Sequence, residues 1–174
     1  DSESFWNCKL ASADDEKNVY ESSDGYKITA YHIKKGDVFE CYTVFENNTD
    51  SVVTLDMISS FAITDLDFDT LHRATSFWSA EGKMLSQKLT DLNMERSWSG
   101  HGIRIEKFGQ IGSMPVRKWF PFVAVEDSGK GEFIGVQLYC PSSWQIELFR
   151  YKEPLTLLGG LADYDYGHWC KDVL

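Results

Sequence analysis

Apolar and polar residues alternate with a period of two through most of the first half of the chain. The segment from Tyr26 to Ile33 reads YKITAYHI, and Val38 to Phe45 reads VFECYTVF. A polar turn, Lys34-Lys-Gly-Asp37, separates them. Asn47-Asn-Thr-Asp50 then closes a hairpin into Val52 to Ile58 and on to Ile63. Successive side chains of a strand point to opposite faces, so this alternation predicts half-buried strands. The runs are rich in β-branched and aromatic residues, which pack well on a pleated surface. Further strands are expected near 71–78, 84–90, 94–98, 101–106, 119–126, 132–140 and 143–150. Asp127-Ser-Gly-Lys-Gly131 marks a turn between two of them.

Helical spacing is missing. No window of a dozen residues keeps apolar positions at i, i+3, i+4 and i+7 behind a capping residue. Residues 8–20 are polar and suggest one short turn, and Glu153 to Gly160 reads as a turn with a short strand. Many short strands joined by Gly and Asp turns predict an all-β fold, an antiparallel β-sandwich with little or no helix. No repeat, low-complexity tract or linker interrupts it, so residues 1–174 are expected to form a single domain.

Composition narrows the possible partners. Hydrophobic residues make up 43% of the chain, enough for a folded core rather than a disordered coil. The net charge of −10 repels phosphate, which argues against nucleic acid and against anionic membranes as partners. A neutral ligand such as a sugar remains compatible. No apolar run is long enough to cross a bilayer as a helix. The start, DSESFWNCKL, has neither the basic nor the apolar region of a signal peptide.

Candidate chemistry is sparse. Cysteines at 8, 41, 140 and 170 match no zinc spacing and read as buried free thiols, which suits a cytoplasmic protein. A bond between Cys8 and Cys170 stays open. Asn47-Asn-Thr49 has the form of a glycosylation sequon but reads as a polar turn. Asp65, Asp67 and Asp69 share a face if their strand persists, and three carboxylates can hold calcium. A solvated acidic edge is the commoner outcome, so no metal and no cofactor are expected. Asp163-Tyr-Asp165 reads as a turn. None of the four histidines, His101 in Trp98-Ser-Gly-His-Gly102 included, stands in an order that announces a catalytic triad. No glycine pattern supports nucleotide binding.

The six tryptophans carry more meaning. Indole rings stack on the apolar faces of sugars while polar neighbours bind the hydroxyls. They also fill the space between sandwich sheets. Trp119, Trp144 and Trp169 lie in apolar runs and read as core. Trp78, with Ser76, Ser79 and Glu81 close by, fits both roles and is the candidate substrate-binding residue.

A group of segments then follows in a particular order. Arg73, Ala74, Ser76, Trp78 and Glu81 come first, then Ser99-Gly100-His101, then Gly135 with Pro141-Ser-Ser-Trp144, and last Gly167-His168-Trp169. This order resembles the N-terminal β-domain of glycoside hydrolase family 36 α-galactosidases. The likeness covers residues 71–174. The first 60 or so residues share only a richness in strands, and 104–115 departs from the family pattern. The resemblance implies a β-supersandwich in front of a catalytic (β/α)8 barrel. It also implies retaining hydrolysis of terminal α-galactosides by the parent enzyme. The two catalytic aspartates belong to the barrel, so no catalytic residue is expected here and the chain alone is expected to be inactive. Trp78 would wall the sugar pocket. The implied partners are α-galactoside sugars, the enzyme's own barrel and further copies in a homo-oligomer. A stand-alone carbohydrate-binding module is the alternative.

Overall fold

The computed structural model describes residues 8–95, 104–112, 114, 116–139, 142–150, 155–162 and 170–174. Within them the chain is all-β, with fourteen strands and no helix.

The chain opens with a meander, β1 (Cys8–Ala13), β2 (Lys17–Ser22), β3 (Tyr26–Lys35) and β4 (Val38–Asn47), paired in that order. The first two strands correct the expectation of a polar turn over 8–20. Five of the six residues of β1 are exposed, so no apolar alternation reveals it. Backbone pairing to β2 holds it, and backbone hydrogen bonds need no apolar side chain. Asp14 makes the connection, accepting bonds from the N–H groups of Glu16 and Lys17, both at 2.9 Å.

Next come β5 (Val53–Leu55), β6 (Met57–Leu66), β7 (Thr70–Thr75), β8 (Met84–Lys88) and β9 (Arg104–Gln110). The rest are β10 (Trp119–Asp127), β11 (Glu132–Gln137), β12 (Trp144–Arg150), β13 (Leu155–Ala162) and β14 (Lys171–Val173). They form two antiparallel four-stranded sheets, ordered β11-β10-β7-β8 and β6-β13-β12-β9, while β14 pairs with β5. The loop after β4 is tied to the chain end by Asn47. Its amide Nδ2 donates to the carbonyls of Ser51 (2.6 Å) and Val173 (3.0 Å). The sequon is thus a polar turn whose Asn amide is engaged.

The core lies between the β11-β10-β7-β8 and β6-β13-β12-β9 sheets. Leu71, Val123 and Val125 come from one; Phe61, Phe108, Trp144, Ile146, Leu148, Leu155 and Leu157 come from the other. Trp144 is 0% exposed and meets Phe108 edge-on at 6.1 Å, while Trp119 packs on the same ring from the opposite sheet. Trp144 is therefore a core residue, as its apolar surroundings predict, while Trp119 is partly buried and packs against the core. Trp169 lies outside the described residues.

Three further expectations change. The turn and short strand expected over 153–160 is largely β13, an interior strand with neighbours on both sides. Its Gly159-Gly160 pair marks close backbone approach, not a turn. A Cβ on Gly160 would run into the carbonyl oxygen of Ile58, just where the pairing with β6 shifts register. The strand expected over 71–78 ends at Thr75. The strand expected over 94–98 is not seen at Met94 and Glu95, and the remainder falls outside the described residues.

Cys8, Cys41 and Cys170 are free. Cys8 and Cys41 are half-buried, and burial raises both thiol pKa values, with Asp24 adding to the effect at Cys8. Cys170 is exposed, which corrects the expectation of a buried thiol there, and no Cys8–Cys170 bond is present. Cys140 lies outside the described residues.

Candidate functional site

Trp78 sits at the tip of the loop from β7 to β8 and is 83% exposed. The loop beneath it is closely tied. The Thr75 N–H donates to the Lys83 carbonyl at 2.9 Å, and the Gly82 N–H donates back to the Thr75 carbonyl at 2.8 Å. The Thr75 hydroxyl donates to the Ala80 carbonyl at 2.5 Å. The Ala80 N–H reaches the Phe77 carbonyl at 2.8 Å, which makes a tight turn around Trp78. The Ser76 N–H bonds the Lys118 carbonyl at 3.0 Å and anchors the loop to the approach to β10. Two residues take left-handed backbone, Gly82 at φ 73° and Ser79 at φ 62°. The second is uncommon for a side chain other than Gly, Asn or Asp.

The structure therefore places Trp78 outside the core, on a constrained turn, with the exposed rings of Phe77 and Trp78 side by side in sequence. Ser79 and Glu81 are exposed beside it and Ser76 is half-buried. A flat ring presented to solvent on a tied turn, with a serine and a glutamate beside it in sequence, offers a stacking face for a sugar.

Below the turn lies Arg73, 5% exposed on the inner face of β7. Its guanidinium faces Trp119 at 4.6 Å and Phe108 at 5.1 Å, bonds Glu106 at 2.5 Å and also bonds Gln87. Arg73 belongs to the segment that carries the family resemblance, yet here it joins the two sheets rather than meeting solvent.

Other sequence candidates separate from Trp78. The shared face proposed for Asp65, Asp67 and Asp69 does not form. Strand β6 ends at Leu66, and Asp65 already has a left-handed φ of 58°. Asp69 instead accepts bonds from Ser128 (2.5 Å), Thr70 and Lys88 (2.9 Å), which together hold its carboxyl well below the usual range. Among the described residues no cluster of His, Cys, Asp and Glu could hold a metal ion. A cleft of about 310 Å³ is lined by Asp67, Asp69, Lys88, Thr90, Glu95 and Arg150 among others. It lies at the start of β7, whereas Trp78 follows its end, so the two do not form one site. His101, Trp98, Asp163, Asp165 and the segment 167–169 lie outside the described residues.

One constellation escaped the sequence reading. On the outer face of the β8-β7-β10 sheet, His72 Nδ1 lies 2.8 Å from Ser86 Oγ, and His72 Nε2 lies 2.8 Å from Glu126 Oε2. Only strand pairing brings these three together, and their spacing along the chain carries no signal for it.

Comparison with known proteins finds no matching family model and no matching curated protein. Among the described residues no helix is long and apolar enough to cross a membrane.

Proposed function

We propose that this chain is the N-terminal β-domain of an α-galactosidase-like glycoside hydrolase, helping to shape the substrate pocket of the parent enzyme. The observation that carries the proposal is Trp78. A tryptophan left 83% exposed on a hydrogen-bonded turn gives up most of the stabilisation its burial would bring. Such a ring is suited to a ligand or a neighbouring domain. The order of segments over 71–174 supplies the ligand class, a terminal α-galactoside, and the neighbour, a catalytic barrel. In this reading hydrolysis belongs to the barrel, where the two carboxyl groups would flank the glycosidic bond. Val38 and Phe39, exposed at the tip of the β3–β4 hairpin, support docking to the barrel or to another copy. The free Cys8, Cys41 and Cys170 suit a reducing, cytoplasmic compartment.

The same ring supports a second reading, a stand-alone carbohydrate-binding module. Titrating the 174-residue chain with galactose and melibiose, followed by tryptophan fluorescence and calorimetry, separates the two. A module binds by itself and loses binding in Trp78→Ala. A pocket wall binds only when joined to the barrel, and Trp78→Ala then raises KM of the whole enzyme about fivefold or more, the loss of a stacking contact worth roughly 1–3 kcal/mol. In either case Trp78→Ala should leave stability within about 0.5 kcal/mol, because the ring contributes little to the core. An unchanged KM in the full enzyme, together with no sugar binding by the chain, removes Trp78 from the site.

A further inference from the structure

The network of Ser86, His72 and Glu126 lies on a different surface and stands apart from the reading of Trp78. Register explains how it forms. Ser86 of β8 is directly opposite His72 of β7, and Glu126 of β10 is diagonal to it on the same outer face. The ladder between β7 and β8 is bounded by two observed bonds, Leu89 N–H to the Asp69 carbonyl and Thr75 N–H to the Lys83 carbonyl, each at 2.9 Å. Antiparallel pairs alternate between hydrogen-bonded and non-hydrogen-bonded. Counting inward from both bonds makes His72 and Ser86 a non-hydrogen-bonded pair, the kind whose side chains approach most closely. The same count turns the Ser86 N–H away from β7. Among the described residues β8 is the outermost strand of its sheet, so that N–H points to the sheet edge.

The protons follow from the donors present. In the neutral imidazole, the tautomer that satisfies an accepting Glu126 carboxylate carries its proton on Nε2 and donates it to Glu126. Nδ1 is then the acceptor and takes the Ser86 hydroxyl proton. His72 and Glu126 are mostly covered, with side chains 15% and 21% exposed, while Ser86 is open to solvent. A screened base held by a carboxylate, with an accessible hydroxyl in front of it, is the arrangement that activates a serine. Met84 shares the outer face with Ser86 and is half exposed. The Phe133 ring lies 6.0 Å from the imidazole and is exposed. These two apolar groups flank the relay.

We propose that Ser86, His72 and Glu126 form an acyl-transfer site that accepts small, uncharged carboxylic esters. Ser86 Oγ attacks the ester carbonyl carbon and its proton passes to His72 Nδ1. The developing oxyanion meets the edge N–H of Ser86. The bond to the alcohol oxygen breaks, and the alcohol leaves with the proton held by His72. Water, deprotonated by His72, then attacks the acyl-serine and releases the carboxylic acid, restoring the hydroxyl. The sum is ester plus water to acid plus alcohol, with no further reactant.

The test uses the 174-residue chain with 4-nitrophenyl acetate and a fluorophosphonate as probes. The expected result is a burst of 4-nitrophenolate and a single phosphonyl adduct mapped by mass spectrometry to Ser86, both absent in Ser86→Ala. His72→Gln should slow adduct formation about 10²-fold or more, the usual range for loss of a general base. Glu126→Asp should retain more activity than Glu126→Gln, a pattern that simple loss of packing would not produce. Circular dichroism melting confirms that each variant is folded; Ser86 is exposed and its removal leaves no cavity. An adduct absent from wild type, or formed equally fast in folded His72→Gln, would overturn the proposal. Neither outcome bears on sugar binding at Trp78.

Discussion

Arg73 shows how much one side chain can join. It combines an ion pair to Glu106 on β9, a bond to Gln87 on β8 and contacts over the rings of Phe108 and Trp119. The guanidinium is planar and can satisfy the ion pair and both rings at once, which an ammonium cannot. Arg73→Ala removes the cation from a largely buried pair and opens space between two aromatic rings. Breaking such a pair costs about 3–5 kcal/mol, and the partial exposure of Glu106 places the expected loss near the lower end. Arg73→Lys should recover only part of it. Urea denaturation midpoints of the two variants check the order. The sequence placed Arg73 in a segment beside Trp78 but could not assign it to the core, because charged residues are rarely buried unless paired. Its partner Glu106 is 33 residues away.

At the level of the strand, glycine carries two meanings that a sequence does not separate. Gly82 follows the expected rule, a left-handed turn residue that closes the Trp78 loop. Gly109 and Gly160 lie within β9 and β13, where a Cβ would strike the carbonyl oxygens of Trp144 and Ile58. Gly160→Ala should therefore force β13 away from β6 at the register shift and destabilise the domain by about 1–3 kcal/mol, the usual cost of overpacking. Gly36→Ala has open space around it, so strain at its φ of 65° is the only cost expected there. Thermal melts of both variants test the contrast, with the larger loss expected at Gly160. The hairpin of β3 and β4 was legible because alternation and a Gly turn agree. β1 was not, because its side chains face water and its stability comes from backbone pairing.

Over the whole molecule, Asp69 ties one sheet together at its end. Its carboxylate takes bonds from Thr70 at the start of β7, Lys88 at the end of β8 and Ser128 in the turn between β10 and β11. Ser128 is the largest cause of its lowered pKa, followed by Thr70 and Lys88. A carboxyl with a folded pKa below its unfolded value of about 3.9 adds stability that is complete above that value. The contribution disappears as pH falls from there toward the folded pKa. Asp69→Asn should therefore lower the melting temperature at pH 7 and narrow its gap from the parent as pH drops below about 4. Melting curves from pH 7 to pH 2 check this; a gap that stays constant throughout would exclude the linkage.

Alternation of side chains along the chain determined the fold class and most strand positions, since a strand that buries one face must write that face into its sequence at every second residue. The core role of Trp144 followed from its apolar run, and Trp119, read the same way, packs against that core. The sequence also named Trp78, by its type and polar neighbours, without showing whether it faced the core or solvent. Only the tertiary structure decided that, by ending β7 at Thr75 and turning the chain so that the ring stands outside. It likewise dispersed the three aspartates by ending β6 at Leu66, and it brought His72, Ser86 and Glu126 within hydrogen-bonding distance. Burial leaves a periodic trace along a single strand. Contact across strands depends on which strands pair and in what register, and that information is held by no one segment.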